Sequence, residues 1–263
     1  MKNNAFLAVF NIRLLLVCLL TVAIFIGSRH FQITFKNDYN IFSIAIVFPL
    51  VFSLTAAYRK RQLALQHFSA IRSHLVCIYD YFSSSKQLNQ EIMQQIKHEL
   101  VQIPQLLIGC MSESNDKKLI LQLRKQLDVI SSITEKQKEK LNERGVAYII
   151  RSKKDLNQNI DTLYSLKHHH SPKSLRAYCL VFIYLFPFIY VPGIVQNITD
   201  KDPLLVGFFL FLSLLIGFVL MALYNIQELI EDPFDNEGLD DVKLDLYLLS
   251  DQDLNDIDFK PHN

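Results

Sequence analysis

Four long apolar runs divide this sequence, and a region with helical periodicity separates the second run from the third. The runs extend from Leu14 to Gly27, Ile41 to Tyr58, Ala177 to Thr199 and Pro203 to Gln227. A helix rises about 1.5 Å per residue, so about 20 apolar residues can cross a hydrocarbon core of roughly 30 Å. We therefore predict four transmembrane helices. The first is expected to extend slightly beyond its run and to be retained, because no small-residue cleavage site follows it.

Apolar residues between the second and third runs recur every three or four positions, which predicts amphipathic helices. The first stripe follows so closely that its helix is expected to continue directly from the second membrane helix. Pro104 is expected to stop the second stripe, and the charge-dense segment from Glu135 to Arg144 is typical of a solvated helix face. The stripes extend over Leu65–Phe82, Ile92–Ile103, Ile120–Ile130 and Leu156–Leu166.

The alternation typical of strands is missing, so the sequence predicts an all-α integral membrane protein. Its first segment (1–58) holds an N-terminal lead and membrane helices one and two, and its second (59–173) is a cytosolic helical region. Membrane helices three and four occupy 174–227, and an acidic cytosolic tail occupies 228–263. Pro187 and Pro192 are expected to interrupt the third membrane helix.

Lysine and arginine are concentrated on one side of the predicted membrane helices, where the positive-inside rule places the cytoplasm. Both termini and the helical middle are therefore expected in the cytoplasm, in a multi-pass protein of the cell (inner) membrane. The basic positions on that side are Lys2, Arg13, Arg59, Lys60, Arg61, Lys167, Lys173 and Arg176, against Arg29, Lys36 and Lys201 on the other.

Composition narrows the possible chemistry. Among 263 residues the formal net charge is only +1, which argues against a nucleic-acid partner. Four widely spaced cysteines without a CxxC pair argue against a disulfide framework or a zinc site. Hydrolase, nucleotide-binding and metalloprotease motifs are missing, so we do not expect an enzyme. His168, His169 and His170 point in different directions on a helix and are expected to be interfacial residues.

The segment after the fourth membrane helix is strongly acidic. Twelve aspartates and glutamates lie between Glu228 and Asp258, where Lys243 is the only lysine or arginine. Closely spaced carboxylates with Asn and Gly resemble a loop for a hard cation such as calcium, although the EF-hand spacing is missing. The alternative is a solvated acidic turn or a partner for the basic residues of the middle region. Basic residues available for such pairing include Lys117, Lys118, Arg124 and Lys153.

Ile44, Phe48 and Phe52 recur every fourth residue in the second run and therefore share one helix face. Small residues surround them, which allows close approach of neighbouring helices, and Pro49 removes one backbone hydrogen bond. Such a stripe either contacts lipid and core or lines a narrow hydrophobic pore, and periodicity alone leaves both interpretations open.

Three short segments stand out beside the order of the apolar runs: Phe48 to Arg61, Ser171 to Tyr178 and Asp232 to Phe234. The arrangement resembles the bestrophin family of ion channels, in particular its prokaryotic branch, over nearly the whole chain. The segment from Phe48 to Arg61 is similar to that family's second helix with its basic end. Ser171 to Tyr178 is similar to the start of its third helix, and Asp232 to Phe234 to the Asn-Pro-Phe signature after its fourth. The resemblance implies a symmetric homopentamer with one central pore, whose narrow neck it places at Ile44, Phe48 and Phe52.

The resemblance also concerns residues beyond the neck. In animal members an acidic cluster helps to bind calcium together with main-chain oxygens. Carried over to this sequence, the possible calcium ligands are Asp235, Asn236, Glu237, Asp240 and Asp241. The sequence departs from the pattern where Arg61 and Gln62 replace paired tryptophans, Asp232 replaces the Asn and Asp235 the Gly. A second, cytosolic constriction is expected near residues 146–150.

The function implied by this resemblance is a channel that passes chloride and other monovalent anions across a lipid bilayer. Arg59, Lys60 and Arg61 at the pore mouth would favour anions if they face the lumen, and the acidic tail would favour cations if it does. A cation-selective channel of the same fold is therefore one alternative. A membrane-anchored helical scaffold that binds a cytosolic partner is another. We also expect the helical middle to form much of the subunit interface.

Overall fold

The computed structural model describes residues 10–34, 39–85, 87–112, 116–169, 173–198, 202–234 and 241–258. All regular elements within these residues are helical. The long helices are α1 (Ile12–His30), α2 (Tyr39–Ser83), α3 (Gln90–Ser112), α4 (Asp116–Lys136), α5 (Glu143–His168), α6 (Lys173–Gln196) and α7 (Pro203–Glu231). A 3₁₀ turn (Leu244–Tyr247) and the short helix α8 (Asp251–Asp258) follow.

The chain forms two compact units. The first comprises residues 1–61, 170–232 and 237–240, and the second comprises residues 62–169, 233–236 and 241–263. The first half of α2 belongs to the first unit and its second half to the second unit, so the expected continuation of the membrane helix into the following stripe is confirmed.

Among the residues that the structure describes, three helices of the first unit are long and apolar enough to cross a membrane. They are α1, α6 over Ser174–Gln196, and α7. They correspond to the first, third and fourth predicted spans. The second predicted span, Ile41 to Tyr58, lies wholly within the helix α2.

The core of the first unit forms where one face of α2 meets the other three helices. Ile46 and Leu50 of α2 are buried there, at 2% and 1% exposure. Leu14 and Val17 of α1 belong to the same cluster. The remaining buried members come from α6 and α7: Cys179, Ile183, Phe186, Leu220, Met221 and Tyr224.

Small residues let α1 and α7 approach closely. A Cβ atom at Gly217 would lie 3.3 Å from Cγ1 of Val17 and 3.4 Å from Oγ1 of Thr21. The buried hydroxyls nearby bond to their own helices, because Thr21 donates to the Val17 carbonyl and Ser213 to the Phe209 carbonyl, both at 2.8 Å. These two hydroxyls donate their hydrogens within their own helices, so α1 and α7 contact each other here through close van der Waals packing.

The predicted amphipathic stripes form the core of the second unit. Their apolar positions are buried within the single chain, which explains why these segments are helical despite their polar residues. The fully buried residues at these positions include Phe68, Leu75, Phe82, Ile96, Leu100, Ile103, Leu123, Leu127, Leu156, Ile160 and Leu163. The stripes therefore do not need a neighbouring subunit to cover them.

Three prolines lie inside continuous helices, although the sequence predicts a stop near Pro104 and an interruption at Pro187 and Pro192. Helix α3 continues through Pro104 to Ser112, and α6 continues through Pro187 and Pro192. In α3, Leu107, Cys110 and Met111 extend the buried stripe beyond the proline. Burial of that second half outweighs the loss of one backbone hydrogen bond, which costs about 3 kcal/mol in an isolated helix interior.

The charge-dense segment from Glu135 to Arg144 is not a single helix face, contrary to the prediction. Helix α4 ends at Lys136, turns follow, and α5 begins at Glu143. Asn142 is the N-cap of α5, where its Oδ1 accepts a hydrogen bond from the Gly145 amide. This capping interaction competes with helix continuation.

Three helix ends in the second unit meet at the buried carboxylate of Asp116. His168 Nε2 lies 2.6 Å from Asp116 Oδ2, and Lys167 Nζ lies 3.7 Å from the same oxygen. Lys167 also donates to the Cys110 carbonyl at 2.8 Å. Burial raises the pKa of the Cys110 thiol to about 11. His168 therefore contacts the Asp116 carboxylate at the end of α5, and its interfacial position stays a prediction.

The described last part of the acidic tail, residues 241–258, packs within the second unit. Leu249 and Leu254 are buried in its core. Asp253 pairs with Arg72 at 3.2 Å and Asp251 lies 3.9 Å from Lys97. The expected partners Arg124 and Lys153 pair instead with Asp161 and Asp128 of the helical middle.

A capping box begins α8. The Ser250 amide donates to Asp253 Oδ2 at 2.8 Å, and the Asp253 amide donates to Ser250 Oγ at 3.2 Å. The bonds from the Ser250 amide and hydroxyl lower the pKa of Asp253, and the Arg72 charge acts in the same direction. Capping and apolar burial together hold this part of the tail in a folded form, despite its negative charge.

Candidate functional site

The three residues expected to form a neck share an exposed apolar face of α2. Ile44, Phe48 and Phe52 are 55%, 56% and 63% exposed in the single chain. The rings of Phe48 and Phe52 lie 5.7 Å apart, centroid to centroid. Eight residues of helix separate the first from the last, which corresponds to a rise of about 12 Å. The face is therefore an uncharged strip long enough for three successive rings of side chains in a symmetric assembly.

Burial of the opposite face orients this strip. Ile46, Leu50, Ser53 and Ala57 of α2 are each at most 2% exposed. Ile46 and Leu50 pack against α1, α6 and α7, as described above. Because successive helical residues are rotated by about 100°, covering these positions turns Ile44, Phe48 and Phe52 away from the core.

The three consecutive basic residues after the apolar run do not share a direction. Arg59 lies seven residues after Phe52, two helical turns, and is exposed on the same side of α2. Lys60 is buried, with 9% exposure. Arg61 is of intermediate exposure. Only Arg59 therefore continues the direction of the apolar strip.

Lys60 belongs instead to a buried charged cluster at the end of α7. Its Nζ donates to the Glu231 carbonyl at 3.1 Å. The Glu231 carboxylate forms an ion pair with Arg176 of α6, with 2.9 Å between Oε2 and Nη1. Burial lowers the pKa of Lys60, and the charges of Asp232 and Glu231 oppose that shift. The cluster links α2, α6 and α7 at one level of the first unit.

The acidic residues suggested as calcium ligands are mostly beyond the described part of the chain. Asp235, Asn236, Glu237 and Asp240 lie outside it, and Asp241 is described at intermediate exposure. The Val242 amide donates to the Pro233 carbonyl at 3.0 Å, so the two ends of this segment are held together. Within the described ranges, no group of three or more His, Cys, Asp or Glu side chains could hold a metal ion.

Residues 146–150, where the resemblance places a second constriction, lie in α5. Val146 and Ile149 are buried in the core of the second unit. Ile150 is 56% exposed. Ile150 is therefore the large apolar side chain of this stretch that is turned outward.

Two features of the site are missed by sequence reasoning. One is the Arg176–Glu231 ion pair, and the other is a contact from Tyr178 to α2. The first had a signal, because a basic residue at the start of one apolar helix and an acidic residue at the end of the next can meet in an antiparallel pair. The Tyr178 contact had no sequence signal beyond Pro49. A proline leaves one helix carbonyl without its usual amide donor, but the sequence does not show which side chain reaches that carbonyl.

Burial predicts which ion pair at the end of α7 is important for stability. Replacing the buried Glu231 with Gln leaves Arg176 without its carboxylate partner, while the main-chain bond to Lys60 remains, and should cost about 3 kcal/mol. Glu228 pairs with Arg13 at 2.8 Å but is 34% exposed, and Glu228→Gln should cost less than about 1 kcal/mol. Denaturation in mixed micelles, followed by circular dichroism, measures both. Equal losses in the two variants would contradict the burial argument.

Comparison with known proteins identifies the fold. No family profile and no curated protein matches the sequence. Crystal structures of a bacterial bestrophin homologue from Klebsiella pneumoniae do match. One mutant is 16% identical, with a TM-score of 0.79 over 95% of this chain and 96% of that one. A second mutant is 16% identical, with a TM-score of 0.76 over 95% and 98%.

A further structure of that homologue, phased on zinc, is 18% identical, with a TM-score of 0.72 over 94% of this chain and 95% of that one. The similarity covers nearly the full length of both proteins, although few residues are identical. The chain therefore has the fold of the bacterial bestrophin homologues.

Proposed function

We propose that this protein is a homopentameric ion channel of the cell (inner) membrane, with both termini in the cytoplasm. Its permeant species are chloride and other monovalent anions. The observation that carries the proposal is the exposed apolar strip of Ile44, Phe48 and Phe52 on a helix whose opposite face is buried. Full-length similarity to the bestrophin fold supports the arrangement around a central axis.

Five copies of this strip would form three stacked apolar rings. A narrow apolar constriction is costly for water to fill, so it can block ions without a physical plug. Opening then requires only a modest widening or rotation of α2. Ile150 is the residue that we propose for the second constriction, because it is exposed while its neighbours Val146 and Ile149 are buried.

Truncating the neck should increase conduction. We expect the triple variant Ile44→Ala/Phe48→Ala/Phe52→Ala to raise chloride efflux from liposomes by about tenfold or more. That factor corresponds to a barrier lowered by about 1.4 kcal/mol. The assay uses purified oligomer whose mass has been shown to equal five chains.

The control truncates three exposed apolar residues of α1, Leu16→Ala/Leu19→Ala/Ile26→Ala, and should leave efflux unchanged. If neither the native protein nor the neck variant conducts as a pentamer, the scaffold interpretation replaces the channel. A stable monomer in mild detergent would have the same consequence.

We propose that Arg59 contributes the anion preference. It is the basic residue that shares the direction of the strip, whereas Lys60 is buried in the charged cluster. A ring of five positive charges at the end of the neck would concentrate anions and repel cations. Because the neck itself is uncharged, selectivity depends on the charges at its mouths.

Reversal potentials under a potassium chloride gradient test this assignment. A unit charge about 8 Å from the permeant ion contributes ~0.5 kcal/mol in water, so Arg59→Gln should lower the chloride-to-potassium permeability ratio at least about twofold. Arg59→Lys keeps the charge and should retain the ratio. A clear cation preference in the native protein would support the cation-selective alternative instead.

We further propose calcium as a ligand of the acidic segment, held by Asp235, Asn236, Glu237, Asp240 and Asp241 with main-chain oxygens. Carboxylate and carbonyl oxygens in a closed loop are what calcium prefers, and the Pro233–Val242 hydrogen bond closes this loop at its base. The described tail residues Asp251 and Asp253 are already paired with basic side chains, so they are not needed for the site.

Calorimetry on the purified oligomer should detect calcium binding in the micromolar range, and Asp240→Asn/Asp241→Asn should abolish it. Asp251→Asn, outside the loop, is the matched control and should retain binding. Lack of binding at millimolar calcium would contradict the site, and the tail would then be attached through its ion pairs with Arg72 and Lys97.

A further inference from the structure

Pro49 lies in the part of α2 that carries the neck residues. A proline has no amide hydrogen, so the bond that residue 49 would donate to the carbonyl of residue 45 is missing. Helix α2 nevertheless continues from Tyr39 to Ser83. In a membrane a freed carbonyl finds no water and must be satisfied by another group of the protein. The carbonyl of Ala45 is therefore available to a donor from outside α2.

Tyr178 of α6 supplies such a donor. Its hydroxyl donates to the Ala45 carbonyl oxygen at 3.3 Å, near the long end of hydrogen-bond distances. The ring of Tyr178 lies 4.4 Å from that of Phe182, one turn further along α6, which limits its movement. The carbonyl that Pro49 frees is thus the one that Tyr178 reaches.

The next residue of α6 contacts α2 on the other side of the proline. Cys179 Sγ lies 4.0 Å from Ser53 Oγ, and Ser53 Oγ donates to the Pro49 carbonyl at 2.6 Å. Two consecutive residues of α6 therefore contact α2 before and after Pro49. The two turns between these contacts carry Phe48 and Phe52.

We propose that Tyr178 is a positioning residue of the neck, whose hydroxyl replaces the missing amide hydrogen of Pro49 and fixes the turn that carries Ile44 and Phe48. The effect on conduction rests on the proposed channel function. The compensation for Pro49 is a property of the folded chain and does not depend on that function. The two parts therefore have separate measurements.

A double-mutant cycle between Tyr178→Phe and Pro49→Ala tests the compensation. The phenylalanine keeps the ring and its contact with Phe182, and the alanine restores the amide hydrogen within α2. In the native background Tyr178→Phe should lower the thermal unfolding midpoint in detergent by about 2–4 °C. In the Pro49→Ala background the same change should lower it by less than about 1 °C.

Tyr184→Phe is the matched control, since it removes a hydroxyl from the same helix. Tyr184 lies six residues after Tyr178 on α6 and is partly buried against the core of the first unit. Its substitution should shift the midpoint equally in both backgrounds. Because both tyrosines keep their rings, the comparison isolates the hydroxyl at position 178.

Chloride efflux from liposomes gives the second readout. A contact that only stabilises the fold would not change the efflux rate at temperatures below the unfolding midpoint. Tyr178→Phe should change the efflux rate about fivefold, and the change should disappear in the Pro49→Ala background. If the native protein conducts but Tyr178→Phe has the same effect with and without Pro49, the positioning role is overturned and the channel stands. If no form conducts, the channel proposal fails, and the midpoints alone decide whether Tyr178 compensates for Pro49.

Discussion

The burial of one face of α2 is the constraint on which the site depends. A helix can turn only one side toward its own core, and in the first unit that side carries Ile46 and Leu50. The residues on the other side of the same turns are available to contact lipid, to contact another subunit or to line a lumen. The apolar strip is therefore a consequence of how α1, α6 and α7 pack against α2. The packing of that core determines the direction in which the strip faces.

The same constraint separates the side chains of the basic segment. Sequence alone presents Arg59, Lys60 and Arg61 as one positive group. A rotation of about 100° per residue places them around the helix, and packing decides which of them is buried. Lys60 is buried and bonds to the Glu231 carbonyl, and the nearby carboxylates of Asp232 and Glu231 favour its charge, so that charge is paired within the first unit.

Periodicity predicted the helical class, the apolar helices and the stripes of the second unit, because burial of a helix face leaves a regular trace in the sequence. It failed where a local signal was outweighed by packing. Pro104, Pro187 and Pro192 lie inside helices whose residues on both sides of the proline are buried against neighbours.

Sequence patterns were also insufficient where the outcome depended on residues far apart in the chain. Many basic residues were available to pair with the acidic residues of the tail, and only the folded chain shows that Arg72 and Lys97 lie beside Asp253 and Asp251. For the same reason, the pairing of Arg176 with Glu231 and of Tyr178 with the Ala45 carbonyl required the structure.

The buried hydroxyls of the first unit have a consequence for how this protein can vary. Thr21 and Ser213 bond to carbonyls of their own helices, so they give no directional preference to the contact between α1 and α7. That contact is recognised through size, at places such as Gly217, where a single added carbon would touch Val17. Over evolutionary time such an interface can change in polarity while its side-chain volumes stay almost constant. This is one way in which a fold can persist although nearly all of its residues are replaced.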